Sequence, residues 1–581
     1  MKPSKAICVL AAVALSGTLS ASAGAAAAKH DLVIRGGLIV DGKGGRPFIG
    51  DVAIDGDRIV AVHPGKGAFE GRKEIDARDL VVAPGFINML SWATESLLVD
   101  GRAVSDIKQG VTLEVMGEGD SMGPLSPEMK RQREEREGDI VYPITWTSLG
   151  EYLELLERKG VSLNVASFVG AATVRIHELG EVDVAPSAEQ LNRMRTLVRD
   201  AMQEGAMGVG SALIYAPGTY AKTSELTALA HEAAQCGGMY ISHMRSEGDA
   251  LLPAIDELIT ISRDSGAPAE IYHLKQAGET NWKKLGAAIE RVEAARASGL
   301  RITADMYTYT AGATGLDAAM PPWVQDGGFE QWQRRLRDPS IRKRVATEMQ
   351  SPGQSWENLF HAAGGPEKVL LIGFKNPALK NYIGMTLGQV AKLRGTSPAD
   401  TAMDLVVEDG SRVSAAYFLM NEDNVRRQIR LPWMSFGSDE GAPAAEGVFL
   451  KSNSHPRAYG NFARLLGRYV RDERLIPLEA AVQRLSDLPA RNLGLRERGA
   501  LTAGYFADIA IFDPRTIADR ATFAKPAQYA VGMRHVFVNG IQVLRNGEPT
   551  GAKAGRVVRG PGWSGWPGGG ACRNAPPSPR P

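Results

Sequence analysis

Three things are scarce in this chain. Cysteine is one: the 581 residues contain three. Cys8 falls in an apolar N-terminal run, Cys236 in an expected helix and Cys572 in a Gly- and Pro-rich end. That scatter predicts no structural disulfide. Net charge is the second. Lys and Arg number 67 and Asp and Glu 66, leaving +1, which argues against a nucleic-acid partner. The third is a membrane-length apolar stretch. Ile7 to Leu15 is too short to span a bilayer, and no other stretch is a candidate. With Lys2 and Lys5 before it and Ala21-Ser22-Ala23 and Ala25 to Ala28 after it, the run is predicted to belong to a secretory signal peptide, residues 1–28. Cys8 lies inside the apolar run, which is the wrong place for a lipoprotein anchor. Export to the bacterial periplasm is the expectation.

What remains is too long for one core, but fits a barrel with insertions and a small second domain. Residues 30–83 alternate apolar and polar positions, and Asp55-Gly56-Asp57 reads as a hairpin turn. The texture returns in 491–559, with a strand over 504–513 and a hairpin about Asn539-Gly540. We expect one β-sandwich built by both chain ends. Between them, residues 84–490 alternate buried strands with helices. The strands are read at 81–87, 111–116, 165–169, 208–214, 239–243, 269–273, 302–306 and 433–436. That set predicts an α/β fold, a (β/α)8 TIM-like barrel. Residues 316–365, with Trp323 and Trp332, break the rhythm and read as an inserted helical lid. The stretch 560–581 is Gly- and Pro-rich and is expected to be a disordered tail.

The chemistry centres on 239–275. Two short apolar runs each end in a histidine followed two residues later by a cation: His243 with Arg245, and His273 with Lys275. Between them Leu251, Ile255, Leu258 and Ile259 mark a helix broken by Gly266 and Pro268. In a parallel barrel both histidines face the mouth, where catalytic groups collect. A lone strand-end histidine is more often a satisfied core residue. The repeated pattern within one unit favours two imidazoles on one metal ion.

Val82-Ala83-Pro84-Gly85-Phe86-Ile87, Ser242-His243-Met244-Arg245, Tyr272-His273-Leu274-Lys275, Gly437-Ser438-Asp439 and His455-Pro456-Arg457 occur in this order. In these motifs the chain resembles the D-aminoacylases, zinc N-acyl-D-amino-acid deacylases of the amidohydrolase superfamily. The resemblance covers most of 30–560. It implies metal ligands at His243 and His273, Asp439 as general acid/base, and Lys275 and Arg457 holding a substrate carboxylate. Tyr215 and Tyr307 would line the pocket. Two departures stand out. Where the family carries a His-x-His pair, this chain has Leu90-Ser91-Trp92, which removes the ion site that pair builds. Where the family carries a metal-binding cysteine, this chain has Gly117-Glu118-Gly119-Asp120. Glu118 is the expected substitute ligand and Asp120 the alternative. One carboxylate and two imidazoles leave an open position, as in catalytic zinc sites.

The resemblance therefore implies hydrolysis of a small N-acyl-D-amino acid with one tightly bound Zn2+. Asp439 would take a proton from the attacking water and return it to the leaving amine. His455 reads either as an oxyanion stabiliser or as a loop anchor. Rival readings are a dipeptidase, a cyclic-amide hydrolase, a lactonase, or a barrel that binds without turnover. Cyclic amidases of the superfamily bridge two metals through a carboxylated lysine, and no lysine stands at a suitable strand end here.

Overall fold

The structure, a computed structural model, describes Met1 and residues 29–353 and 355–574. The leader expectation for 2–28 and the tail beyond 574 lie outside the described residues. Among the described residues, no helix is long and apolar enough to cross a membrane.

Eight parallel segments follow one another in space as they do in sequence. Phe86–Asn88 pairs with Val111–Met116, which pairs with Asn164–Ser167. Val169–Gly170 continues that strand and pairs with Gly208–Ala212. From there the order runs through Met239–His243, Ala269–Ile271 and Ile302–Met306 to Met434–Phe436. The last strand meets the first. Met89 N donates to Phe436 O at 3.2 Å, Asp439 N donates to Leu90 O at 2.8 Å, and Ser91 bridges Glu440 in parallel. Every residue of Val111–Met116 and Met239–His243 is buried, as expected of parallel strands covered on both faces. The helix Leu251–Ser265 buries Leu251, Ala254, Ile255, Leu258 and Ile261 on one face and stops at Gly266, φ 77°.

Both chain ends meet in a single nine-stranded sheet. Val81–Pro84 lies between His30–Ile39 and Ile509–Phe512, and the Met533–Val538/Ile541–Arg545 hairpin turns at Asn539-Gly540. The segment read as one strand, 81–87, is in fact two. It changes sheet at Gly85, whose Cβ would sit 2.1 Å from Thr112 Oγ1, so only glycine passes there.

The insertion is also wider than the sequence suggested. Helices do fill Leu316–Ala363, but they pack on a three-stranded antiparallel sheet of Ala311–Gly315, Val369–Gly373 and Ser414–Phe418. Val324, Trp332, Val345, Leu371, Leu405 and Tyr417 belong to a core of its own.

Two expectations fail at the C-terminal end. Cys236 and Cys572 form a disulfide across 336 residues, and residues 560–574 are ordered. Gly560 N donates to Gly205 O at 2.8 Å and Ser564 N to Gln203 O at 2.9 Å. Trp566 lies beneath the Arg496 guanidinium, 4.3 Å away. Trp563 in turn lies 5.5 Å from the Arg559 guanidinium, so a Gly- and Pro-rich composition hid two anchoring tryptophans, and with the tail in place Cys572 reaches the end of the helix that carries Cys236.

Candidate metal centre and active site

Glu118 follows the second parallel strand in a Gly-Glu-Gly turn. Gly117 and Gly119 have φ of 105° and 71°, and a Cβ on Gly117 would sit 2.3 Å from Phe168 O. The flanking glycines let the backbone turn tightly and aim the carboxylate inward. Its Oε1 lies 3.0 Å from His243 Nδ1 and 2.9 Å from His273 Nε2. The two imidazole rings meet edge to face, 4.4 Å apart. His243 closes its strand. His273 stands two residues beyond the end of Ala269–Ile271, in a left-handed conformation with φ 34°, its N–H donating to Asp305 Oδ1 at 2.8 Å. Such backbone strain is tolerated where function needs the orientation.

These three residues fit a metal on their own chemistry. One ligand atom of each lies within 4.8 Å of the others, and all three are buried. His243 Nε2 is a buried atom without a hydrogen-bond partner. Carboxylate and imidazole are ordinary zinc donors. Asp120, the alternative ligand, is instead bound to Arg133 at 2.5 Å and Thr173 at 2.7 Å.

Behind the histidines stands Glu247, which sequence reasoning missed. Its Oε1 lies 2.6 Å from Lys275 Nζ and 3.0 Å from His273 Nδ1, and its Oε2 lies 3.5 Å from His243 Nε2. No periodicity marks it; its one signal is an acid four residues after the strand-end histidine. Lys275 is 6% exposed, sits 2.7 Å from His273 Nδ1 and pairs its ammonium with Glu247. Burial works to raise the Glu118 and Glu247 carboxyls. Around Glu118 the two imidazoles win, and around Glu247 it is Lys275 and the imidazoles, so both are held well below the usual carboxylate range.

Across the cavity, Asp439 is held in a left-handed conformation, φ 53°, by a buried network. Asn88 accepts from Ser438 N and donates to Ser438 Oγ and Glu114, each at 2.8 Å. Arg457, 1% exposed, lies 2.8 Å from Asp439 Oδ2 and donates to Asp439 O at 2.7 Å. Its guanidinium stacks 4.4 Å over Tyr307. Arg457 Nε and Tyr307 Oη are buried without hydrogen-bond partners. Burial raises Asp439 despite Arg457, and lifts its neighbour Glu440 to about 7. Tyr215 packs edge-on against His243 at 5.3 Å. His455 commits both ring nitrogens to the backbone: one lies 3.0 Å from Ala311 O and the other accepts from Arg457 N at 3.0 Å. That is the loop anchor, not the oxyanion donor.

A cavity of about 760 Å3 joins these groups, with Glu118, His243, His273, Lys275, Tyr215, Tyr307, Asp439 and Arg457 in its wall. Two further cavity residues were missed. Trp92 donates its indole N–H to Glu118 Oε2 at 2.9 Å, and Arg412 stacks 5.1 Å from Tyr215 while pairing with Asp317 at 2.9 Å.

Comparison with known proteins agrees with this geometry. Residues 73–544 match the Amidohydrolase family. An N-acyl-D-glutamate deacylase of Alcaligenes xylosoxydans xylosoxydans is 32% identical over 91% of this chain and 97% of its own length. The N-acyl-D-glutamate deacylase of Bordetella bronchiseptica, solved with zinc and a phosphonate inhibitor mimicking the tetrahedral intermediate, superposes with a TM-score of 0.75. It is 29% identical, over 92% of this chain and all of its own. A D-aminoacylase with a binuclear metal centre, in which one metal activates and a second attenuates, superposes equally well. It is 30% identical over 91% of this chain and all of its own. The chain belongs to the amidohydrolase family, and within it to the D-aminoacylases, the N-acyl-D-amino-acid deacylases.

Proposed function

We propose that this protein hydrolyses the amide bond of an N-acyl-D-amino acid, releasing a carboxylate and a free D-amino acid, with one zinc ion held by Glu118, His243 and His273. The observation that carries the reading is the meeting of Glu118 Oε1 with both imidazoles, at 3.0 and 2.9 Å, opposite the Asp439–Arg457 pair. Zinc, when bound there, supplies Lewis acidity to the scissile carbonyl and to the attacking water. Asp439 accepts the proton of that water and hands it to the leaving amine. A carboxyl raised by burial yet steadied by a guanidinium is suited to do both. Arg457 and Tyr307, with their unpartnered donors in the cavity wall, bind the substrate carboxylate. Lys275 acts through Glu247 to fix His273, and Tyr215 closes the pocket beside His243.

The eight-strand ring is read as a (β/α)8 barrel over 84–490. Its consecutive parallel pairing and the 89–91 to 436–440 bonds support this. The two-ended sheet is read as the β-sandwich domain of 30–83 and 491–559, and the 311–418 insertion as the lid. The Cys236–Cys572 disulfide supports an oxidising compartment, in keeping with export to the periplasm.

The test is elemental analysis of the purified enzyme with a screen of N-acetyl-D- and N-acetyl-L-amino acids. One zinc per chain and turnover of D substrates is the expected result. Turnover confined to cyclic amides or lactones, or none on any acyl amino acid, would refute it.

A further inference from the structure

The wall that faces Glu118 from the first strand carries no metal donor. Leu90 is fully buried in an apolar cluster with Ile87, Met89, Leu113 and Val115. Ser91 Oγ accepts from Ala93 N at 3.1 Å. Trp92 lines the cavity, 39% exposed, and its indole N–H meets Glu118 Oε2 at 2.9 Å. The two oxygens of Glu118 are thus divided. Oε1 faces the imidazoles and Oε2 is taken by the indole. A carboxylate with both oxygens free bridges two ions readily; here the indole bond holds Oε2 back and leaves Oε1 as the oxygen turned to an ion at the imidazoles.

We propose that Trp92 is a positioning residue for the metal site: it holds Glu118 so that a single oxygen serves one ion, and it closes the route to a second. The inference rests on the zinc reading above. Indole is a donor only and does not titrate, so the hold is independent of pH. The residue is itself fixed, because Trp92 N donates to Glu440 O at 2.9 Å. The same tryptophan therefore ties the metal carboxylate to the turn that carries Asp439. Outer partners that orient a ligand in this way typically govern metal affinity about 10- to 100-fold.

The test compares wild type, Trp92→Phe and the double variant Leu90→His/Trp92→His. Each is stripped of metal, titrated with zinc and counted by elemental analysis, and then titrated with cobalt while tryptophan emission and the visible cobalt bands are followed. Wild type should saturate at one ion even in excess zinc. Trp92→Phe should bind its one ion about 10- to 100-fold more weakly, shift the cobalt bands, and lose the component of the quench that Trp92 supplies. A merely structural tryptophan would change the melting temperature of the metal-free protein but leave the cobalt bands alone. The double variant should take up two ions. If the double variant does not fold, Trp92→Phe decides alone. Two ions on wild type, or a Trp92→Phe protein with unchanged affinity and cobalt bands, overturns the proposal and leaves the hydrolase reading standing. A wild type that binds no ion overturns both.

Discussion

Two walls of one cavity treat their carboxylates in opposite ways. Glu118 and Glu247 share His243 and His273, Glu247 has Lys275 besides, and both are held well below the usual range. Asp439 and Glu440 share Arg457 as the cation against them, and both are raised by burial, Glu440 to about 7. The first pair is the more deeply buried of the two, so burial alone would raise Glu118 and Glu247 the more. What offsets it is the number of basic groups within contact. Where basic groups outnumber acids the carboxylates are held as anions, fit to hold a metal. Where one guanidinium serves two acids, a proton can come and go. Pairs of groups whose surroundings push them apart are the usual mark of divided acid, base and ligand roles.

The strongest way to break the comparison is at the fixed anion. Glu118→Ala should lose the ion and, with it, turnover to background, while Asp120→Ala should keep both. Elemental analysis beside the assay decides, and metal retained by Glu118→Ala would move the ligand assignment. Next in size is Asp439→Asn, which keeps the metal but cannot shuttle a proton. We expect kcat to fall on the order of 10² to 10⁴. A near-normal rate would remove Asp439 from the chemistry.

Arg457→Ala sharpens the contrast, because Arg457 touches both the acid/base and the carboxylate side of the pocket. For an N-acyl-D-amino acid the loss in binding should reach about 2–4 kcal/mol, read as a rise in KM. For the matching substrate with its carboxylate amidated, the loss should be smaller. Equal losses would mean that Arg457 acts only through Asp439. The pH profile gives a second view. Below its folded pKa, Asp439 is protonated and can accept nothing, so kcat/KM falls as pH drops through that value. Burial raises the group, so the acid limb of wild type should lie above the ordinary aspartate range of about 4. Removing Arg457 removes a cation that favours the anion, so the limb should move to higher pH. A limb that stays put in Arg457→Ala would show that another group sets it.

The fold was legible where hydrophobic pattern alone decides it. Val111–Met116 and Ile302–Met306 were read to the residue, and Leu251–Ser265 was read as the helix between two strands. Legibility failed where a long-range partner decides. The break of 81–87 at Gly85 depends on Thr112 pressing from the next strand. The insertion's sheet joins strands about a hundred residues apart, from Ala311–Gly315 to Ser414–Phe418, with no local mark. In the site, the histidines could be named because strand-end position and donor chemistry travel with the sequence, and Glu118 because it stands where the resembled family carries a metal-binding cysteine. Glu247, Trp92 and Asn88 could not, because each matters through a side chain brought from a separate loop or strand. Lys275 stands in the cavity wall as expected, but its ion pair with Glu247 is invisible until both are folded.

The smallest expected effect on catalysis lies farthest from either wall. The Cys236–Cys572 bond fastens residues 560–572 to the outside of the helix Thr223–Gln235. A crosslink over a long loop constrains the unfolded chain, and losing one typically costs about 2–4 kcal/mol. Here the bond joins a short terminal strap to an already packed body. Its loss should therefore be felt first as local opening rather than as global unfolding. The strap's remaining hold is a few backbone bonds, such as Gly560 N to Gly205 O, and the Trp566–Arg496 stack. Reduction, or Cys572→Ser, should leave kcat and the metal count unchanged. It should raise hydrogen exchange and protease cleavage after residue 560, with a modest fall in melting temperature. If the strap stays as protected after reduction as before, its own contacts hold it and the disulfide is dispensable. If instead kcat falls with the strap released, the two walls and the outer surface are coupled, and the division between a rigid site and a separately fastened end is wrong.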